Sequence, residues 1–280
     1  MARPALKEIT PVVYKDHAVK VLHHMETAPH AECFPLHWHD RVELLLITQG
    51  SMEIQLGDEL QVARQGSLAI INVGQPHRGI AGDQGVQYQV LMFEPGTFQN
   101  STPASQRFIA PILQNQTVFC HVTQNEEVLQ TVRQILQLHE DPYTNPLQIM
   151  GLTYYLLGLF SRHCLGTARV TAQEDAQFKP VLEYMNAHFT EKISTKTLSH
   201  TFGYDEAYFC RRFKRTTGIT VMKYIQILRL EYAQQLLKKK DRNISDIAVL
   251  CGFSDIYYFT RCFSKHFGIA PNEFRKAHRG

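Results

Sequence analysis

Two stretches in the second half of the chain repeat one pattern of aromatic residues, cations and glycine, and this repeat constrains the fold most. They are YFCRRFKRTTGIT at residues 208–220 and YFTRCFSKHFGIA at residues 258–270, offset by 50 positions. Upstream of each, LSHTFGY (198–204) and IAVLCGF (247–253) match at an offset of 49. Each copy predicts a short helix, a turn with glycine and a longer amphipathic helix, which is a helix-turn-helix layout.

The longer helix of each copy separates apolar side chains from charged ones. Phe209 and Phe213 are four residues apart, so they share one helix face, which is expected in the core. The opposite face carries cations, and an exposed arginine on a helix in the major groove of B-DNA can bind guanine bidentately. A merely solvated face is the alternative, but recurrence beside a turn glycine favours DNA binding. The predicted cations are Arg211, Arg212 and Arg215 in the first copy and Arg261 and Lys265 in the second.

Other residues near the starts of the two longer helices are placed to touch DNA. Ala207 and Ile256 can contact thymine methyl groups, and Tyr257 is long enough to reach a base or a phosphate. Between the copies, residues 221–240 have an apolar stripe at helical spacing, which predicts a helix about 30 Å long. Because major-groove segments recur about every 34 Å along B-DNA, this helix can hold two DNA-reading helices in successive segments.

Charge also divides the chain. Residues 1–170 carry 11 Lys and Arg against 15 Asp and Glu, a net −4, whereas residues 171–280 carry 18 against 11, a net +7. The net positive charge of residues 171–280 favours binding to a polyanion. The six cysteines include no CxxC pair, and the chain shows neither an N-terminal secretory pattern nor an apolar run long enough for a bilayer. We therefore expect a cytoplasmic protein that does not bind membranes.

The first half of the chain has a different sequence pattern, typical of β-strands. Over residues 12–121, short apolar runs alternate with glycines, which indicates an antiparallel sandwich or barrel. Helical periodicity then predicts helices over 125–139 and 146–164, and the small, polar residues 166–177 indicate a linker. The predicted class is α+β with two domains, a β-barrel with appended helices over 1–165 and an all-α domain over 178–280.

A histidine cluster is the main chemical feature of the first half. His37, His39 and Glu43 fall in an HxHx3E pattern, and His77 follows a later glycine turn. If residues 37–43 form one strand, these three side chains share a face and suit a divalent metal. Three interpretations remain open: hydrogen bonds to a polar effector such as a sugar, a bound metal, or buried histidines satisfied by their neighbours.

Residues 178–280 resemble the two-headed helix-turn-helix domain of the AraC/XylS family of bacterial transcription regulators. The marks are the GY–YF–R–F–K–TG run of the first copy, RLEYAQQLL (229–237), IxDIAxxCGFxDxxYFxRxF (244–263) and PNEFR (271–275). The resemblance implies binding of double-stranded DNA as a homodimer, with contacts to RNA polymerase for an activator. It implies base-facing positions at Ala207, Cys210 and Arg211 in the first helix and at Ile256, Tyr257, Thr260 and Arg261 in the second.

The first half resembles the cupin barrel, whose two sequence motifs imply His37, His39, Glu43 and His77 as ligands of a metal. Regulators of this kind use the barrel as a small-molecule sensor. The resemblance also favours a dimer interface (the dimer seam) on the helices predicted after the barrel, made by Leu129, Val132 and Leu136. The alternative is that these helices only cap the barrel.

The function expected from the sequence is a ligand-responsive transcription regulator, an activator rather than a repressor, and not an enzyme. One alternative is a metal-dependent cupin enzyme, such as an oxygenase or isomerase, with a DNA-binding tail. Another is a ligand-independent regulator whose barrel serves dimerisation alone.

Overall fold

The computed structural model describes residues 19–100, 102–114, 116–166, 170–238 and 242–277, with the backbone alone for 170–177. The chain divides into two compact units, and the division falls between Gln177 and Phe178. All the strands of the described residues belong to the first unit, and the second unit is helical. The predicted α+β class with two domains is confirmed.

The strands of the first unit form one antiparallel sheet. Its order is β1-β6-β3-β5-β7, with β2 also paired to β6 and β4 to β3. Residues 12–18 of the region predicted as strands lie outside the described residues. The strands are β1 (Val19–Thr27), β2 (Glu32–His37), β3 (Val42–Leu56), β4 (Glu59–Arg64), β5 (Leu68–Ile71), β6 (His77–Phe93) and β7 (Val122–Thr123).

The two longest strands bend, so that the sheet wraps around an interior. β3 and β6 pair along most of their lengths, and shifts in their register lie between Ile47 and Met52. Gly50 lies at this bend with a φ of +74°, and a Cβ there would collide with the carbonyl of Gly85. Only glycine permits this close approach of the two strands. One half of the β3–β6 pair is flanked by β1 and β5, and the other half by β2 and β4.

Side chains along β3 alternate between two cores. Leu44 and Leu46 face the helices that cover the outside of the sheet, whereas Leu45 and Ile47 face the interior. This follows from the two-residue period of a strand. Glu43, two residues before Leu45, therefore lies on the interior side and is buried.

Helices α3 (Glu126–Glu140) and α4 (Pro146–His163) cover the outer face, as predicted to within a residue. Asn145 and Gln148 form a capping box at the start of α4. Leu129, Val132 and Leu136 are buried in the core between α3 and the sheet. The predicted dimer seam of these three residues is wrong, because their stripe packs on the chain's own sheet. A 3-10 turn (Pro95–Phe98) and the short helices α1 (Pro103–Phe108) and α2 (Ala110–Leu113) precede them.

The second unit is a set of helices built on the repeat. α5 (Val170–His188), which belongs to this unit from Phe178 onward, begins inside the segment predicted as a linker, whose residues 167–169 lie outside the described residues. Five of the eight residues 170–177 are Ala, Gln or Glu, and their helix propensity explains why this stretch is helical. The other helices are α6 (Thr195–Thr201), α7 (Glu206–Thr217), α8 (Val221–Lys238), α9 (Ile244–Leu250), α10 (Ile256–Phe267) and α11 (Pro271–Ala277).

The two copies of the repeat fold alike, as a short helix followed by a longer one. The N-caps of α7 and α10 are Asp205 and Asp255, whose side chains accept hydrogen bonds from the amides of Tyr208 and Tyr258. Both helices end at a glycine in the left-handed conformation, Gly218 and Gly268. The predicted pair of helix-turn-helix copies, α6–α7 and α9–α10, is confirmed.

The helix between the copies contacts both of them. α8 has 18 residues and is therefore about 27 Å long. Tyr224, near its start, packs edge-on against Phe213 of α7, and Leu230 and Ala233 belong to a core shared with α10 and α11. No helix in the described part of the chain is both long and apolar enough to span a membrane.

Candidate ligand site and nucleic-acid interface

The predicted histidine cluster assembles in the interior of the bent sheet. The ligand atoms of His37, His39, Glu43 and His77 all lie within 4.8 Å of one another. Glu43 Oε2 lies 3.1 Å from Nε2 of His39 and 2.9 Å from Nε2 of His77. His39, Glu43 and His77 are buried, while His37 is partly exposed.

The elements that bring these residues together differ from the expected single strand. His37 ends β2 and Glu43 lies on β3, and residues 38–41 form the connection between the two strands. Convergence therefore comes from a turn and from strand pairing, since His37 pairs with His77 at the first position of β6. The interpretation of residues 37–43 as one strand is wrong, although the three side chains do meet.

Hydrogen bonds fix how two of the imidazoles point. Nδ1 of His37 lies 2.8 Å from the Pro35 carbonyl, and Nδ1 of His77 lies 2.8 Å from the Gln75 carbonyl. A carbonyl oxygen only accepts, so each Nδ1 carries a proton and donates it. In the neutral form of each ring, Nε2 then carries a lone pair. For His77 that lone pair faces the Glu43 carboxylate, which requires a proton or a cation between them.

Electrostatics keep the cluster in a form that suits ligand binding. Burial, and then the neighbouring His77, lower the pKa of His37 to about 4, so this imidazole is neutral near pH 7. Burial opposes ionisation of Glu43, but the hydrogen bonds from His39 and His77 outweigh it and hold its pKa well below the usual range. The cluster therefore combines an ionised carboxylate with at least one neutral imidazole.

The donor set fits a divalent metal. Three imidazoles and one carboxylate are ligands that Zn²⁺, Fe²⁺ and similar ions accept, and metal-bound histidines usually donate their other ring N–H to a carbonyl, as His37 and His77 do. Nδ1 of His39 is buried without a hydrogen-bond partner among the described residues. The residues present thus fit either a metal or a polar ligand.

Near the cluster, Phe34 was missed in the sequence, whereas Tyr88 is a residue that the sequence offers for the pocket without ranking it. The ring of Phe34 lies edge-on to His37 and His77, with ring centroids 5.7 and 5.6 Å away. Tyr88 is buried on the interior side, and burial, followed by Cys33 and Glu43, raises its pKa to about 12. Only the pairing of β2 and β1 with β6 brings these side chains to the site, and no sequence spacing signals it.

The exposed face of α7 carries most of the residues predicted for the first reading helix. Ala207, Arg211 and Arg215 are exposed, and Cys210 is partly exposed. Arg212 is only 4% exposed, so its assignment to the DNA-facing side is wrong. It lies three residues after Phe209 and therefore on the buried side of the helix, with its guanidinium 6.0 Å from the Phe178 ring.

Burial changes the chemistry of Arg212. Burial, with a smaller contribution from the charge of Arg215, lowers the pKa of Arg212 to about 10. Its side chain is thus part of the packing between α7 and α5 rather than a contact for DNA.

The exposed face of α10 is equivalent to that of α7. Tyr257 is 84% exposed, Arg261 and Lys265 are exposed, and Ile256 and Thr260 are partly exposed. The Arg261 guanidinium lies 5.5 Å from the centre of the Tyr258 ring. Tyr258 in turn accepts a hydrogen bond from Gln226 of α8, a contact that the sequence did not indicate. These contacts hold Tyr258 of α10 against α8 and leave the Arg261 guanidinium exposed to solvent.

Comparison with known proteins gives matches in both units. The family described as AraC-like ligand binding domain matches residues 24–157, and a helix-turn-helix domain family matches residues 198–277. The chain is 27% identical over 248 residues to the HTH-type transcriptional activator RhaS of Enterobacter sp. (strain 638), covering 87% of this chain and 88% of that protein. RhaS of Citrobacter koseri is 25% identical over 246 residues, with the same coverage.

A solved structure supports the arrangement of the fold along the chain. ToxT from Vibrio cholerae aligns with a TM-score of 0.51 over 94% of this chain and 100% of that chain, at 10% identity. This likeness concerns the fold alone. The ligand-binding match contains the whole histidine cluster, and the helix-turn-helix match contains both exposed helix faces. With these two matches in this order, the chain belongs to the AraC family of transcription regulators.

Proposed function

We propose that this regulator is an activator that reads DNA with α7 and α10 and senses a small molecule at the histidine cluster. The observation that carries the proposal is the equivalence of Arg211 and Arg261. Both follow a capped helix start by the same number of residues, and both are exposed. An activator acting on DNA and RNA polymerase works in the cytoplasm, where we place the protein.

Each exposed side chain has a distinct role in this proposal. Arg211 and Arg261 bind guanine, and Ala207, Ile256, Cys210, Tyr257 and Thr260 line the same faces against base edges. Arg215 and Lys265 lie one turn further along their helices and bind phosphates. Because only two of these residues are strong hydrogen-bond readers, DNA shape contributes much of the specificity.

The effector binds at the partly exposed His37 and extends towards Glu43. A polar molecule with several hydroxyl groups, such as a sugar, fits because the cluster offers both hydrogen-bond donors and acceptors. The rest of the interior is apolar, with Met52, Ile54 and Tyr88 among its members. Effector binding can change DNA affinity only by its differential affinity for the two states.

A divalent metal at the cluster is the second candidate, favoured by the contact between His77 and Glu43. Nε2 of His37, His39 and His77 and Oε2 of Glu43 would hold it. When bound, the metal supplies a positive charge that anchors an oxygen of the effector. His37 and His77 keep their Nε2 atoms oriented through their bonds to Pro35 and Gln75.

Dimerisation is proposed on the outer face of α4. Leu147 is 71% and Tyr155 is 51% exposed, and Gly151 and Gly158 have open space where a Cβ would stand. Two glycines seven residues apart on one helix face allow a partner helix to approach closely. Sedimentation of the wild-type chain and of Gly158→Arg tests this: we expect a dimer for the first and a monomer for the second.

The experiment that tests the central proposal is selection of bound fragments from random DNA by the full-length protein. We expect recovered sites with half-sites about one helical turn apart. Recovery of random sequence would contradict specific DNA recognition. A thermal-shift panel of sugars, aromatic acids and divalent metals then tests sensing, because a ligand that binds the native state raises the melting temperature. A panel without any shift favours the ligand-independent alternative.

A further inference from the structure

Two cysteines distant in sequence lie opposite each other in the first unit. Phe119 and Leu165 form an isolated antiparallel bridge. The Cys120 amide donates to the Cys164 carbonyl at 2.7 Å, and the Gly166 amide donates to the Val118 carbonyl at 2.9 Å. In an antiparallel register, the residue after Phe119 faces the residue before Leu165. Cys120 therefore faces Cys164.

The geometry suits a covalent link between the two thiols, which are in hydrogen-bond contact. Residues that face each other in an antiparallel pair have Cα atoms about 4.5–5.5 Å apart. Disulfides span Cα separations of about 4.4–6.8 Å. Cys164 is buried at the C-terminal cap of α4, and Cys120 is partly exposed. An oxidant thus reaches Cys120 first.

We propose that Cys120 and Cys164 form a peroxide-responsive dithiol that closes reversibly to an intramolecular disulfide. The Cys120 thiolate attacks hydrogen peroxide, its S–O bond forms, the O–O bond breaks, and hydroxide leaves. The Cys164 sulfur then attacks the sulfenic acid of Cys120. The S–S bond forms, the S–O bond breaks, and the leaving hydroxide takes the Cys164 proton as water. Two electrons pass from the dithiol to the peroxide, and an external thiol returns them.

The electrostatics of the pair agree with these roles. The hydrogen bond from the Cys164 thiol lowers the pKa of Cys120, against the opposing effect of burial. Donation of that hydrogen bond, and then burial, raise the pKa of Cys164. Cys120 therefore ionises before Cys164, which keeps its proton until the second step.

The disulfide would close beside the loop that positions the histidine cluster. The Phe119 amide donates to Asn72 Oδ1 at 2.7 Å, and Asn72 Nδ2 donates to the Phe119 carbonyl at 3.0 Å. The backbone N–H of Asn72 also donates to Gln75 Oε1 at 3.2 Å, and the backbone carbonyl of Gln75 accepts a hydrogen bond from His77 Nδ1. The segment that carries Cys120 is thus held by the loop that leads into His77.

The test uses reduced full-length protein and hydrogen peroxide, followed by alkylation and mass spectrometry of the intact chain and its peptides. We expect the oxidised chain to be about 2 Da lighter than the reduced chain before alkylation, with one cross-linked peptide pair joining Cys120 to Cys164 and full reversal by dithiothreitol. Cys120→Ser and Cys164→Ser each abolish the loss. Cys33→Ser is the matched control and keeps it, since Cys33 is a partly exposed thiol whose pKa is raised by burial.

A second measurement assigns the order of the two steps. In Cys164→Ser, the serine hydroxyl still donates to Cys120, so peroxide leaves a sulfenic acid that dimedone labels at Cys120. Since Cys164→Ser alters a buried site, the rate of disulfide formation in wild-type protein is also compared between native and urea-unfolded states. We expect the native rate to be at least tenfold higher. Equal rates, or a cross-link that joins other cysteines, would overturn the proposal.

Discussion

Gly252 packs against Thr190 so closely that a Cβ on Gly252 would lie 2.5 Å from the Thr190 carbonyl oxygen. Gly252 belongs to the turn of the second helix-turn-helix, and Thr190 follows α5. Arg229 of α8 lies at the same junction, where it donates to the carbonyls of Phe189 and Glu191 at 2.8 Å each. The second helix-turn-helix copy is thus packed against the segment that follows α5, where the Thr190 carbonyl contacts Gly252 and Arg229 binds the neighbouring carbonyls.

Gly252→Ala is therefore expected to destabilise the protein more than Gly203→Ala at the equivalent turn of the first copy. Both glycines have a positive φ, +84° and +72°, so both variants carry a backbone penalty of about 1 kcal/mol. Only Gly252→Ala adds a backbone collision, because a Cβ at Gly203 has nothing within 4 Å. We expect Gly252→Ala to cost at least about 2 kcal/mol in the free energy of urea unfolding. Equal costs for the two variants would contradict the close packing.

Arg211→Ala and Arg261→Ala are each expected to weaken binding to the selected DNA site by about 1–3 kcal/mol and to relax base preference. Arg211→Lys is the matched variant, since it keeps the charge but loses the bidentate geometry. It should retain binding to random DNA while losing specificity. Gel-shift titration at fixed salt measures both effects. Unchanged specificity in both alanine variants would show that α7 and α10 are not the reading helices.

Arg212→Ala is expected to act on stability rather than on recognition. Arg212 is buried beside Phe178, so its truncation leaves a gap in the packing of α7. A loss of about 1–3 kcal/mol in unfolding free energy is expected. The base preference found by DNA selection should stay that of the wild type. If Arg212→Ala changed the base preference and left the stability unchanged, Arg212 would contact DNA and its placement in the core would be contradicted.

The sequence predicts those features that repeat or follow a period. The two helix-turn-helix copies were identified because Gly218 and Gly268 close helices of the same pattern. Arg212 was misassigned because charge suggested exposure, although its spacing from Phe209 places it on the buried side. The meeting of Cys120 with Cys164 could not be foreseen, because it depends on a bridge between residues 46 positions apart, Phe119 and Leu165.

Glu43→Gln is expected to abolish metal binding at the histidine cluster if the second candidate for that site is right. The amide keeps the side-chain volume but removes the charge that faces His39 and His77. Zn²⁺ at about 100 times its Kd would stabilise the wild-type chain by about 2.7 kcal/mol, which thermal unfolding detects. Glu53→Gln, on the exposed side of β3, is the control and should respond like the wild type. Absence of a Zn²⁺ shift in all three proteins would favour the polar effector alone.

The stability of the metal-free protein is expected to fall as the pH is lowered through the range in which unfolded histidine protonates. His37 has a native pKa of about 4 against an ordinary 6.5, so between these values the unfolded chain binds a proton that the native chain does not. Stability therefore rises with pH across this window and levels off above it. The contribution of His37 is at most about 3 kcal/mol. Urea midpoints measured with a chelator at about pH 7 and about pH 5 should differ less in His37→Gln than in the wild type. The exposed His30 gives the matched variant His30→Gln, which should keep the wild-type difference.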